Sequence, residues 1–448
     1  MSYYPHSQKD TDEMLKFIGK TTISELCSDI PEKVKIKKLN LDTGKSELET
    51  FRTLKHTAGK NRPYSSIFLG AGAYNHYIPA AVDELSSRQE FYTAYTPYQP
   101  EISQGTLRAI FEYQSYITEL TGMDVSNASM YDGASALAEA VMMAVTTTRQ
   151  RKVLVDKFIH PEYLKVLRTY LEPVSVEIEI FKNNPFKFEK EYFKTHWNSG
   201  YACFVVGSPN YFGTIYDIDG IAESIHSDKR FLIQTITEAL SLTIFKKPSE
   251  LGVDIVCGEA QSFGIPLSFG GPYLGFLACK SDLMRKMPGR IAGQTDDKDG
   301  KPAYILTLTA REQHIRRELA SSNICSNHGW CALRAAMYIS VMGRSGLKSV
   351  GLKNIENTRY LKDKIKTLRK FSVFDEQLSF NEFVVKTEVH YKDIKKTLEQ
   401  NGILSFKPLC DEESDYTECS FSGYYLVCAT EMNTIEDIDG FVKVLEAL

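Results

Sequence analysis

Between about Ser65 and Lys280, short apolar runs alternate with amphipathic helical stretches, and no other feature of the 448-residue chain restricts its fold as much. The runs KVLVD, VSVEIEIF, YACFVVGSP, FLIQTIT, DIVCGE and GFLAC are rich in β-branched and aromatic residues and largely apolar on both sides. Strands of that kind are buried between helix layers, so an α/β domain with a mostly parallel sheet is expected. The intervening helices carry their own signals. TLRAIFEYQSYITELTG sets Leu107, Ile110, Phe111, Ile117 and Leu120 at helical spacing and stops at Gly122, and ASALAEAVMMAV offers small residues for close packing.

The flanks differ from this pattern. Ser7 is placed to cap DTDEMLKFIG and Thr22 to cap ISELCSDI, two short helices that bury little alone, so residues 1–64 read as an N-terminal helical arm. The large α/β domain is expected over 65–326, and an interdomain helix with a small C-terminal α+β domain over 327–448. QTDDKDGKPA reads as a surface turn after MPGRIAG, and a long helix is expected from about Asn327 to Val350.

Charge narrows the function classes. With 53 basic and 57 acidic residues there is no global basic field, which argues against nucleic acid as a partner. No window approaches the length of apolar sequence that spans a bilayer, and the N-terminus lacks the pattern of a signal or transit peptide, so a cytoplasmic protein is expected. The nine cysteines form no zinc-spaced cluster and read mostly as buried free thiols, with Cys410 and Cys419 as the one candidate pair.

Three stretches invite chemistry. YTPYQPEISQG gathers Tyr95, Thr96, Tyr98, Gln99 and Glu101 on a loop stiffened by two prolines, which favours a site-lining role over a plain turn. In SMYDGASALAEA, Gly133 and Ser135 open a helix closely enough to seat a phosphate, but Asp132 opposes an anion there and a close-packed helix start is the stronger reading. REQHIRREL presents Arg311, Arg316 and Arg317 either as contacts to a partner's acids or as a self-paired, solvated charge face.

These stretches also carry a resemblance. FLGAGAYNHYIPAAV, YTAYTPYQPEISQGTLRAIFEYQ, NASMYDGASALAEA, FGIPLSFGGPYLGFLAC, MPGRIAG and REQHIRRELASSNIC closely resemble, in order, signatures of the glycine decarboxylase (P-protein) family of the glycine cleavage system. With the opening YPHSQKDTDEMLKFIG they cover most of the first 330 residues. The resemblance is to the N-terminal half of the single-chain form, or the first of two subunits. It implies a fold-type-I pyridoxal-phosphate architecture, glycine as substrate, a lipoylated H-protein as acceptor and a homologous lysine-bearing second subunit.

That architecture requires a Schiff-base lysine after a strand and before a glycine-rich turn. Here GEAQSFGIPLSFGGPYLG supplies strand and turn, but no lysine occurs between Lys247 and Lys280, and the position near Ser262 offers a hydroxyl. An aspartate is also wanted after a strand to hold the cofactor's ring nitrogen. Glu238, two residues past FLIQTI, is a poor match. The expectation is therefore a subunit without a covalently bound cofactor, pyridoxal phosphate being held by the partner. The alternatives are a self-contained pyridoxal-phosphate lyase or aminotransferase-like enzyme using another lysine, such as Lys246 or Lys280, and a catalytically silent scaffold. The absence of a GxGxxG fingerprint agrees with chemistry that needs no nicotinamide.

Overall fold

The computed structural model describes residues 5–36, 39–320, 322, 324, 328–374, 378–410 and 421–448. The chain divides into two units, Met1–Pro63 and Tyr64–Leu448.

In the first unit, helix α1 (Gln8–Phe17) starts at Ser7, whose hydroxyl accepts from Asp10 N while the Asp10 carboxylate accepts from Ser7 N. Helix α2 (Glu47–Ala58) repeats this reciprocal cap with Ser46 and Glu49. The stretch after Thr22 differs from expectation: it makes only a short 3-10 turn, Ile23–Cys27, and the Thr22 side chain caps nothing. Among the described residues of this unit only Leu15 is buried, whereas Phe17 is 91% exposed and Ile36 and Leu41 are each 76% exposed. So much apolar surface has no cover within the unit.

The second unit begins with strand β1 (Ser66–Phe68), and its central sheet contains β2 (Val125–Ser126), β3 (Lys152–Asp156), β4 (Glu177–Phe181), β5 (Cys203–Gly207), β6 (Phe231–Ile236), β7 (Ile255–Glu259) and β8 (Gly275–Cys279). The spatial order is β2-β8-β7-β6-β5-β3-β4. The pairs from β7 through β4 are parallel, and β8 alone runs against its neighbours. Period-two burial is plain on β7. Ile255 and Cys257 pack under α5 (Gly133–Thr148) and α6 (Pro161–Leu171), while Val256 points to the face covered by α4 (Gln104–Thr121) and α10 (His328–Ile365). Because both faces are covered, the central strands β5, β7 and β8 are apolar apart from Glu259 and read as continuous apolar runs, whereas the edge strand β4 alternates Glu177 and Glu179 with Ile178 and Ile180.

Helix α4 ends where expected, with Gly122 left-handed (φ 72°). Two features went further than the sequence suggested. Ile291–Asp296 (β9) and Pro302–Thr307 (β10) form an antiparallel hairpin, with QTDDKDGKPA supplying its tip, because glycine, proline and polar residues blur the alternation of both strands. Helix α10 continues to Ile365, broken at Gly343 (φ 60°, ψ 178°).

Beyond α10, β11 (Phe371–Val373), β12 (Glu382–Thr387), β14 (Lys407–Pro408) and β15 (Tyr424–Cys428) form a small antiparallel sheet in the order β11-β12-β15-β14. Helices α11 (Tyr391–Gln400) and α12 (Ile435–Glu446) and the end of α10 bury it through Ile394, Ile438, Phe441 and Ile365. Strand β13 (Ile403–Ser405) pairs in parallel with β1, so the chain entering the large sheet is stitched to the small domain. Cys203, Cys257, Cys279, Cys331 and Cys428 are buried thiols. The candidate pairing of Cys410 with Cys419 lies outside the described residues.

Gly258 tests the fit of the central strands. A Cβ on it would fall on the Ile236 carbonyl of β6. Gly258→Ala should lower the stability of the folded chain by about 1–3 kcal/mol, read as an earlier urea midpoint with an unchanged slope.

Candidate functional site

The loop after β7 is buried over its first residues, 260–265, and emerges to the surface at Phe269, which is 99% exposed. Glu259, Gln261 and Ser262 are each at most 4% exposed. The Gln261 amide accepts from Tyr74 N (3.0 Å) and donates to the Ile265 carbonyl (2.7 Å), and the Ser262 hydroxyl has no hydrogen-bond partner among the described residues. Glu259 turns back to the start of α5, accepting from Gly133 N (3.1 Å) and from Leu274 N (2.8 Å). Burial pushes its carboxyl up to about 7 against those two donors. Asp132 accepts from Ser135 N at 2.7 Å, and the Tyr163 hydroxyl abuts the α-carbon of Gly133. The start of α5 is thus already served by two carboxylates of the chain itself.

No flanking lysine reaches this loop. Lys280 follows β8, which runs against β7, and so lies at the opposite edge of the sheet, 2.6 Å from Asp254. Lys246 is held by Asp219 (2.9 Å) and Lys247 by Glu119 (3.1 Å).

Glu238 is fully buried, and its neighbours are more informative than its position in the sequence. His76 lies between two carboxylates, Nε2 at 3.0 Å from Glu238 and Nδ1 at 2.9 Å from Glu431. Asn381 donates to Glu238 (3.1 Å) and Asn354 to Glu431 (2.9 Å). Burial alone would lower the His76 imidazole, but the two carboxylates outweigh it and keep the ring protonated up to about 10.

The YTPYQ loop lies on a different, open face. Tyr95 (66% exposed) lines a cavity of about 610 Å³ with Tyr92, Pro97, Arg290 and Trp330. Tyr98 lines a neighbouring cavity of about 280 Å³ with Arg290, Glu312, His314 and Arg317. Its ring meets His314 edge-on at 5.2 Å, with the Arg290 guanidinium 6.0 Å from its centre. Thr96, Gln99 and Glu101 sit on the same loop outside both linings. The loop is anchored by Gln104, which donates to the Pro100 carbonyl (2.7 Å) and pairs with the backbone of Tyr304 on β10.

Of the arginines expected at a partner, Arg316 and Arg317 are exposed, with Arg317 facing the smaller cavity. Arg311 is turned inward. Its guanidinium donates to the carbonyls of Leu308 (3.2 Å), Gly289 (3.0 Å) and Met287, so it fixes the turn that presents Arg290. Arg290 is the residue that sequence reading passed over: MPGRIAG stood out only as a motif. Its Nε is buried without a hydrogen-bond partner among the described residues, 3.6 Å from Glu312, and it walls both cavities.

An open, mostly parallel sheet with a small antiparallel domain behind a long crossing helix defines the fold of type-I pyridoxal-phosphate enzymes. A sphingosine-1-phosphate lyase of Burkholderia pseudomallei shares it with a TM-score of 0.67 over 93% of each chain, at 12% sequence identity.

The chain belongs to the glycine cleavage system P-protein family, whose model matches residues 1–445. It is 47% identical to a probable glycine dehydrogenase (decarboxylating) subunit 1 of Desulfitobacterium hafniense, over 99% of this chain and 98% of that protein. The corresponding protein of Geobacillus thermodenitrificans is 45% identical, with the same coverage. A crystal structure of a glycine decarboxylase (P-protein) in inhibitor-bound form matches with a TM-score of 0.91 and 36% identity over all of both chains. The fold is that of pyridoxal-phosphate enzymes, but the loop after β7 does not fit that group. It carries no amine, and the first backbone amide of α5, Gly133 N, is already taken by Glu259.

The His76 site makes a sharp prediction. A histidine whose folded pKa is raised contributes stability that is complete below the unfolded value of about 6.5 and is lost as pH climbs through about 10. In selectively ¹³C-labelled protein the His76 ring should show no titration between about pH 6 and pH 9. A midpoint near the unfolded value would show that the carboxylates do not hold the proton.

Proposed function

We propose that this chain is the glycine decarboxylase subunit without a Schiff-base lysine, active when assembled with a homologous lysine-bearing subunit. Together they decarboxylate glycine and pass the aminomethyl group to the lipoyl arm of the H-protein. The observation that carries this reading is the buried start of the loop after β7, with an amide and a hydroxyl, Gln261 and Ser262, where the fold requires an amine. The self-contained alternative loses support because Lys246 and Lys280 are engaged by Asp219 and Asp254 away from that loop.

In the reaction the bond from glycine's α-carbon to its carboxylate breaks and CO2 leaves. The α-carbon bonds one sulfur of the lipoyl disulfide, the S–S bond breaks, and the other sulfur takes a proton. The disulfide is the oxidant. Pyridoxal phosphate on the partner supplies the electron sink. This chain's share is positioning. Tyr95 and Tyr98, on a loop stiffened by Pro97 and Pro100, orient the reacting groups at the junction, with Thr96, Gln99 and Glu101 beside them. Arg290 offers a guanidinium to a carboxylate at the wall between the cavities.

The partner is expected to cover this face. Tyr92, Ile102, Ile315 and Leu319 are 62, 79, 56 and 71% exposed, and aromatic and aliphatic side chains of this kind form the dry centre of an interface. Exposed Arg316 and Arg317 would meet the partner's acids. The uncovered apolar side chains of Met1–Pro63 call for the same kind of burial. We assign the assembly to the cytoplasm, where buried thiols stay reduced.

Reconstitution tests the reading. The lysine-bearing subunit alone should show no exchange of labelled bicarbonate into glycine in the presence of H-protein, and addition of this chain should restore it. Tyr95→Phe and Gln99→Ala should each lower turnover about tenfold or more while the complex keeps its size by light scattering. Full turnover of both variants in an intact complex would leave only the scaffold role.

A further inference from the structure

Strands β3, β5, β6 and β7 end along one edge, and an open α/β sheet takes its ligand in the crevice outside those carboxyl ends. In this chain the crevice contains a piece of the chain itself. Ala71 (φ 61°) and Gly72 (φ 98°) are both left-handed and turn the backbone inward, where a Cβ on Gly72 would strike the His160 ring. The following residues are bonded at almost every step. Ala71 N donates to Glu382 (2.6 Å), and His160 Nε2 lies 3.0 Å from the Ala71 carbonyl oxygen. Tyr74 N donates to Gln261, and its hydroxyl donates to Glu382 (3.1 Å). Thr430 donates to the Asn75 carbonyl (2.7 Å), His76 bridges Glu238 and Glu431, and Tyr77 N donates to Glu431 (2.7 Å).

The anchors come from two sides. His160, Glu238 and Gln261 follow strands of the large sheet, whereas Glu382, Thr430 and Glu431 lie on or just after strands of the small one. Tyr74 and His76 are 2% and 8% exposed. A loop that merely passed over the surface would leave these backbone groups to water.

We propose that Ala71–Tyr77 is a built-in occupant of the crevice, excluding a phosphate-bearing aromatic ligand and clamping the small sheet to the large one. Protonated His76 against Glu238 takes the place of a ligand's protonated ring nitrogen. Gln261 takes up a backbone amide in place of a covalent bond, and the Glu259 carboxylate meets the helix start in place of a phosphate. The crevice is thereby fixed shut, and the chain presents an unmoving face to whatever docks on it. This deepens the reading under Proposed function but does not depend on which subunit performs the reaction.

Amide hydrogen exchange on the full natural chain tests it directly. The amides of Ala71, Tyr74 and Tyr77 should exchange about 100-fold or more slowly than in an unstructured peptide, and millimolar pyridoxal phosphate should not change their rates. A second arm uses Gln261→Lys, which supplies an amine at the crevice floor. After pyridoxal phosphate and borohydride, peptide mapping should find no pyridoxyl group on residue 261. The exchange experiment needs no variant, so a Gln261→Lys chain that fails to fold leaves it standing. Free-loop exchange at those amides, protection gained only with pyridoxal phosphate, or a pyridoxyl group at residue 261 overturns the proposal. None of these readouts involves turnover, so a failed reconstitution and an open crevice are distinguishable results.

Discussion

The architecture of the second unit turns on the buried His76 ring, held between the buried Glu238 and the largely buried Glu431. His76, Glu238 and Glu431 would each be costly to bury alone, and burial is tolerated only because the remaining lone pairs and protons also find partners. Leu240 N and Asn381 serve Glu238, and Tyr77 N and Asn354 serve Glu431. These groups come from the segment before α3 (Ala80–Ser86), the end of β6, the middle of α10, the start of β12 and the end of β15. Satisfying the charge therefore sets the position of the small sheet against the large one. Partial satisfaction would be worse than an apolar core, so the arrangement is all or nothing.

With that crevice closed, the chemistry-bearing side chains lie elsewhere. The open face is built from the YTPYQ loop, the hairpin β9–β10 and the turn before it. Side-chain donors to backbone carbonyls hold this face in shape: Gln104 ties the loop to β10, and Arg311 ties Met287 and Gly289. What faces outward is then aromatic, aliphatic and cationic. A face of this composition is incomplete on its own, and the proposed assembly with a second subunit would complete it.

The parallel sheet was legible because burial on two faces leaves the central strands mostly apolar, and helix ends were legible at Ser7 and Gly122, where a cap or a left-handed residue has a local cause. The hairpin β9–β10 was not, since its strands are half-exposed and interrupted by glycine and proline. At the site, the missing lysine could be read directly from GEAQSFGIPLSFGGPYLG. The partner of Glu238 could not: His76 lies 162 residues earlier and its segment carries no local signal of burial. Arg290 was equally hidden, because its exposure between two cavities depends on Arg311 being drawn inward.

The sequence by itself determined the α/β class, the absence of a lysine in the loop after DIVCGE, and the family whose motifs it carries in order. Each of these rests on residue type or short-range spacing. The tertiary structure alone decided that AGAYNHY enters the crevice, that Glu259 turns to the start of α5, and that Arg311 points inward while Tyr95 and Tyr98 point out. Those outcomes depend on which distant charges must be neutralised out of water, and no local pattern encodes a pairing across hundreds of residues.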